Sequence, residues 1–123
     1  MIRIFKGSGL TSSISLQIPY NRKWKLLSAL ISLVSSSTSG TRSAYLIPYF
    51  GQSSIGGNAY ISISTSTVSA TTNSVCQIGN QNANSQNLPY PPILTEFDEL
   101  QIDVSLQSGD SYSYWIEVEE EEA

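Results

Sequence analysis

A chain of 123 residues is one domain by length, and 40% hydrophobic residues suffice for an ordinary core without metal or disulfide staples. Charged residues make up only 13%, and histidine is absent; this removes the commonest general base and the commonest transition-metal ligand. The net charge of −4 and the lack of a basic face with interleaved aromatics argue against a nucleic-acid partner. No apolar run reaches the roughly 18 residues that would make a membrane span.

The charges are ordered along the chain. All the basic residues (Arg3, Lys6, Arg22, Lys23, Lys25, Arg42) precede position 43, residues 43–95 carry no charge, and every acid lies from Glu96 onward. Residues 1–9, "MIRIFKGSG", read as an N-terminal arm in which Ile2, Arg3, Ile4, Phe5 and Lys6 are candidate contacts to a partner. The alternatives are a disordered leader and an added edge strand of the domain itself. "GSG" at 7–9 reads as a turn into the first strand. Residues 10–119 form the domain, and 120–123 a solvated acidic tail.

"SISLQI" puts Ile14, Leu16 and Ile18 on one face, the period of a half-buried strand. The next stretch, "RKWKLLSALISLV", admits three readings: an amphipathic helix with Leu26, Leu27, Leu30, Ile31 and Val34 in a stripe, the apolar core of an export signal, or a strand. Strand-like alternation upstream disfavours the signal, and serines at Ser28 and Ser32 disfavour the helix. A strand over 26–34 agrees with the rest of the pattern. "SSSTSG" then becomes a hairpin loop into "TRSAYLIPYF", where Pro48 marks an edge strand or a bulge.

"AYISISTSTV" alternates Ile61 and Ile63 with serines. "GQSSIGGN" and "QIGNQNANSQNLPYPP" read as loops, and Cys76 in "SVCQIG" as a small buried hydrophobe. "ELQIDVSL" and "SYSYWIEVE" are the clearest strands: Leu100, Ile102, Val104 and Leu106 share a face in one, Tyr112, Tyr114, Ile116 and Val118 in the other. "QSGD" makes a tight turn between them, closing a hairpin, with glycine available for a positive φ. The fold class is all-β, a single antiparallel sandwich.

No nucleophile elbow, phosphate loop or dinucleotide fingerprint is present, so neither catalysis nor a cofactor is expected. Glu96, Asp98 and Glu99 suggest a glycosidase pair or, with Asp103 and Asp110, calcium ligands, but their crowding in a turn suits a solvated acidic loop better. Trp115 alternates onto the polar face of the last strand and is a further candidate contact, either to a protein partner or as a stacking platform for a glycan.

The order "KWKLLSALISLV", "GTR", "AYLIPYF", a Ser/Thr-rich middle, "LPYPP", then "ELQIDVSL" and "SYSYWIEVEEE" resembles the small all-β virion proteins of tailed bacteriophages, in particular capsid decoration (cement) proteins. The resemblance spans roughly residues 10–120 and departs from the layout where Glu96-Phe97-Asp98-Glu99 replaces a glycine turn. It implies a jelly-roll-like sandwich on the capsid exterior, made in the host cytoplasm. It further implies a homo-oligomer, commonly a trimer, that clamps the major capsid protein. A carbohydrate-binding module and a minor tail or head-fibre component are the alternatives.

Overall fold

The computed structural model describes residues 1–51, 55–56, 59–65, 72–78, 85–86 and 93–123; for 55–56, 65, 72–78 and 85–86 only the backbone is described. Eleven strands are present: β1 (Ile2–Leu10), β2 (Ile14–Gln17), β3 (Arg22–Ser35), β4 (Arg42–Phe50), β5 (Ile55–Gly56), β6 (Ile61–Thr65), β7 (Thr72–Ile78), β8 (Ser85–Gln86), β9 (Ile93–Thr95), β10 (Glu99–Ser105) and β11 (Ser111–Glu122). Among the described residues there is no helix, hence none long and apolar enough to cross a membrane.

Two sheets face each other. The first runs β1-β11-β3-β7-β8 with β9 also on β3; the second runs β2-β10-β4-β5 with β6 also on β4. All pairs are antiparallel except the two-residue β8 beside β7. Without the short β5, β8 and β9, the orders β1-β11-β3-β7 and β2-β10-β4-β6 are those of a jelly roll, two interlocked Greek keys. Between the sheets lies one core that includes Trp24, Leu26, Ile31, Leu33, Leu46, Leu100, Ile102, Tyr112, Ile116 and Val118.

β3 settles the ambiguous stretch as a strand. Glu117 pairs with Ser28 but Val118 with Leu26, so Leu27 is an extra residue, a β-bulge. The bulge shifts the inward set from Trp24 and Leu26 to Ala29, Ile31 and Leu33. The helical look comes from apolar residues on both faces, Leu26 and Ile31 inward and Leu30 and Val34 outward, with Leu27 at the bulge between them.

The jelly-roll order corrects several expectations. The connections 36–41 and 106–110 are not hairpin turns, because β3 and β11 lie in one sheet and β4 and β10 in the other. Both cross between sheets. Gly109 does take a positive φ of 86° in the second connection, where Asp110 N–H donates to the Gln107 carbonyl at 3.1 Å. Pro48 is on no edge: β4 is flanked by β10 on one side and by β6 and β5 on the other. Its place is the gap between the β6 pairing, which ends at Leu46, and the β5 pairing, which begins at Tyr49.

Neither the arm nor the tail is separate from the domain. Residues 2–10 form the edge strand β1, laid antiparallel along β11, and the strand runs across the boundary expected at residue 9. The glycines at 7–9 sit within a bulge of that strand, not in a turn before it. A Cβ on Gly7 would meet the Tyr114 ring at 2.8 Å, so the glycine lets that ring cross the strand. At the other end, β11 continues to Glu122, paired with Arg22 of β3, and the amide of Ala123 donates to Asn21. Cys76 falls on β7, and its side chain, like most of the two long loops, lies outside the described residues.

Candidate surface on the outer face of the first sheet

Strand register decides which of the candidate contacts belong together. Across β1 and β11, Ile2 opposes Glu119, Ile4 opposes Glu117 and Lys6 opposes Trp115. Directly opposed residues share a face, so Ile2, Ile4, Lys6 and Trp115 form one outward patch. Ile2 and Ile4 are half exposed, at 53% and 51%, and Trp115 is half-buried. On β3, Leu30 opposes Trp115 and Lys25 opposes Glu119, while Ile93 of β9 lies beyond Lys25 and is 58% exposed. Lys23, Lys25, Ile93, Glu119 and Glu121 line a shallow hollow of about 210 Å³ there. The face therefore mixes exposed aliphatic groups with charges of both signs.

Arg3 and Phe5, the other two candidates, point the opposite way. Phe5 packs on Trp24 with ring centroids 5.0 Å apart, and the Arg3 guanidinium lies 4.9 Å from the Phe5 ring centre. Arg3 Nη1 donates to Glu120 Oε1 at 3.0 Å, and Trp24 Nε1 donates to the same oxygen at 2.8 Å. Glu120 is 8% exposed. The Trp24 hydrogen bond, helped by Arg3 and opposed by burial, holds its carboxyl below the usual range. These residues close the base of the core, with the Arg3 side chain still 38% exposed, and lie on the opposite side of the strand from Ile2, Ile4 and Lys6. Glu120 has the same parity as Tyr112, Ile116 and Val118, which was the available signal that it points inward.

A second buried ion pair locks the two cross-sheet connections. Arg42 and Asp110 have fully buried side chains and meet at 2.7 Å (Nε–Oδ2) and 3.2 Å (Nη2–Oδ1). Arg42 also donates to the carbonyls of Gly40 (2.9 Å), Ser36 (3.4 Å) and Thr38. Asp110 accepts from the amides of Ser36 (2.7 Å) and Gln107 (2.8 Å). Burial opposes the Asp110 charge, but these donors outweigh it and hold the carboxyl well below the usual range. Asp110 is thus a structural anchor of the two connections.

The outer face of the second sheet is polar and acidic. Tyr45 opposes Asp103 and Tyr49 opposes Glu99, yet Tyr49 Oη donates to Asp103 Oδ2 at 2.7 Å. The Tyr49 side chain therefore lies lengthwise across the Ile47–Gln101 step, and the bond raises its hydroxyl above the ordinary phenol value. Glu99 accepts from Ser15, Gln17 and Gln101.

Glu96 and Asp98 occupy the turn before β10. Asp98 N–H donates to the Thr95 carbonyl at 3.0 Å, and Phe97 takes a φ of 74° at the position of a type II turn that calls for a positive φ. Asp98 accepts from the Thr95 and Gly51 amides and Glu96 from the Asn21 amide, so these acids brace loops. Among the described residues, no group of three potential ligands is arranged to hold a metal ion.

No protein-family profile and no curated protein sequence matches the chain. Three-dimensional comparison finds similarity to chains from infectious bursal disease virus. The Gx strain structure gives a TM-score of 0.36 at 12% identity, covering 95% of this chain and 32% of that one. The VP2 subviral particle gives 0.33 at 11% identity, covering 95% and 32%, and the T13 particle gives 0.34 at 10% identity, covering 95% and 31%. The chain thus spans about a third of the length of each. Scores this low say nothing of what the chain does.

Proposed function

We propose that this chain is a non-enzymatic structural protein of a virion, a capsid decoration protein that attaches to the major capsid protein through the outer face of the β1-β11-β3 sheet. One observation carries the reading: strand register gathers Ile2, Ile4, Lys6 and Trp115 on a single outward face, next to Leu30, Lys25 and Ile93. Exposed aliphatic groups beside a half-buried tryptophan, rimmed by charges of both signs, suit a protein interface better than open water. The jelly roll supports the reading only as a fold common among capsid proteins, since lectins share it. On a lattice, many modest contacts of this kind add up to firm retention. A trimeric, exterior arrangement is the form in which one such face per subunit clamps neighbouring capsid subunits. The test is mass spectrometry of gradient-purified particles of the virus that encodes the chain. A stoichiometric amount is expected, reduced by Ile4→Asp or Trp115→Ala; its absence from particles sinks the proposal.

The second sheet favours one other reading, a carbohydrate-binding module. Tyr49 lies along a face that also carries Tyr45, Gln17, Gln101, Glu99 and Asp103, a stacking surface with hydrogen-bonding groups around it. Glycan-array binding lost on Tyr49→Ala, and kept on Trp115→Ala, would favour it over the virion reading.

A further inference from the structure

We propose that the open cleft between the turns at 19–22 and 95–98 receives an arginine or lysine side chain from a basic segment of a partner protein. The cleft measures about 400 Å³ and is lined by Gln17, Ile18, Tyr20, Glu96, Phe97, Asp98 and Glu99. It shares no residue with the outer face of the first sheet, so the inference stands whether or not that face binds a capsid.

Charge complementarity names the occupant. The lining includes three carboxylates and no cation. Among the described residues, Glu96 and Asp98 form no ion pair, and their hydrogen-bond donors are neutral amides and a hydroxyl. A cation placed beside Glu96 and Asp98 therefore displaces no ion-pair partner, whereas Glu99 is already engaged by Ser15, Gln17 and Gln101. The lip is aromatic: Tyr20 is 84% exposed and Phe97 59%. An aromatic face beside carboxylates favours a cation carried on an apolar stem, which stacks on the ring while its head meets the acids.

The two turns are built alike but carry their rings at different corners, Tyr20 at the first central position and Phe97 at the second. Arg22 N–H donates to the Pro19 carbonyl at 3.2 Å with Asn21 at a φ of 58°, as Asp98 N–H donates to Thr95 with Phe97 at 74°. Asparagine tolerates that conformation and phenylalanine does not. A large apolar side chain is thus held in water at a position that glycine would adopt without strain. The Asn21 amide donating to Glu96 ties one turn to the other at 3.1 Å and fixes the width of the cleft.

The experiment is an amide-resolved NMR titration of the full chain with acetyl-Gly-Arg-Arg-Gly-amide, and with the same peptide carrying citrulline in place of arginine. Saturable shifts confined to residues 17–22 and 95–99 are expected with arginine and not with citrulline. Phe97→Gly and Tyr20→Ser, both at exposed positions, are each expected to weaken binding about fivefold with the amide spectrum otherwise intact. Glu96→Gln should weaken it and flatten its salt dependence. Shifts centred on residues 117–122, equal response to citrulline, or indifference to both aromatic changes would each overturn the proposal. Concentration-dependent shifts at the same amides without peptide, removed by Glu96→Gln, would make a second copy the occupant and overturn it equally.

Discussion

Asp110→Ala removes one partner of an ion pair whose side chains are both wholly shielded from water. Three donors lose their acceptor at once, Nε of Arg42 and the backbone amides of Ser36 and Gln107, while Nη2 of Arg42 keeps the Ser36 and Thr38 carbonyls. An uncompensated buried charge costs about 3–5 kcal/mol, and two orphaned amides push the loss toward the upper end. A domain is stable by about 5–15 kcal/mol in all, so a large part of the reserve is at stake. At roughly 4 °C per kcal/mol, the melting temperature should fall by at least about 12 °C. Urea unfolding followed by the fluorescence of buried Trp24 measures it. Removing both charges, as Arg42→Met with Asp110→Leu, should cost less than Asp110→Ala alone, because no buried charge is stranded. A loss below about 1 kcal/mol for Asp110→Ala, or a double variant worse than the single, would refute the reasoning.

Three further outcomes follow from the same geometry. Ile102→Ala, at a position 1% exposed, should cost about 2–4 kcal/mol in urea titration through cavity formation. Phe97→Gly should leave stability within about 1 kcal/mol of the parent, since relief of the positive φ offsets the added freedom of the unfolded chain; Phe97→Val should be clearly worse. Asp110 and Glu120 both have folded-state values below their unfolded ones, so their contribution is complete at neutral pH and declines as pH falls below about 4. Unfolding free energy measured from pH 7 to 2 should show that decline, and Glu120→Gln should make it shallower.

β2, β4, β6, β10 and β11 were legible because each buries one face, and period-2 alternation records that directly; β1 read as an arm, and β5 and β8 fell in stretches read as loops. Where the pattern broke, a local device was at work. In β3 apolar residues fall on both faces with the bulge at Leu27 between them, which a sequence cannot distinguish from a helical stripe until Glu117 and Val118 are seen to pair with Ser28 and Leu26. The buried polar groups were the harder part. Arg42 and Asp110 lie far apart in the chain, and only the jelly-roll crossing sets residues 36–41 beside 106–110. Nothing local marks either residue as internal. Glu120 was legible in principle from its parity but was hidden within an acidic run that reads as a solvated tail. The contact surface was half legible: composition picked out the N-terminal segment, but only register separates Ile2, Ile4 and Lys6 from Arg3 and Phe5.

That separation bears on how β1 can be both core and contact. The pleat sends Arg3 and Phe5 inward to close the base of the sandwich against Glu120 and Trp24, and Ile2, Ile4 and Lys6 outward beside Trp115. Truncating residues 1–6 therefore removes a structural seal together with a surface, and a loss of attachment after such a deletion would not distinguish the two. Substitutions on the outward set alone can do so. Among the described residues β1 pairs only with β11, which leaves its other edge open, the usual invitation to add a foreign strand. Two features discourage that: the bulge between Gly7 and Leu10 breaks the straight run of the strand, and Arg3 and Lys6 place cations along it. A strand so blunted at its edge, yet carrying half-exposed isoleucines on its face, suits the proposed contact across the sheet better than extension of the sheet.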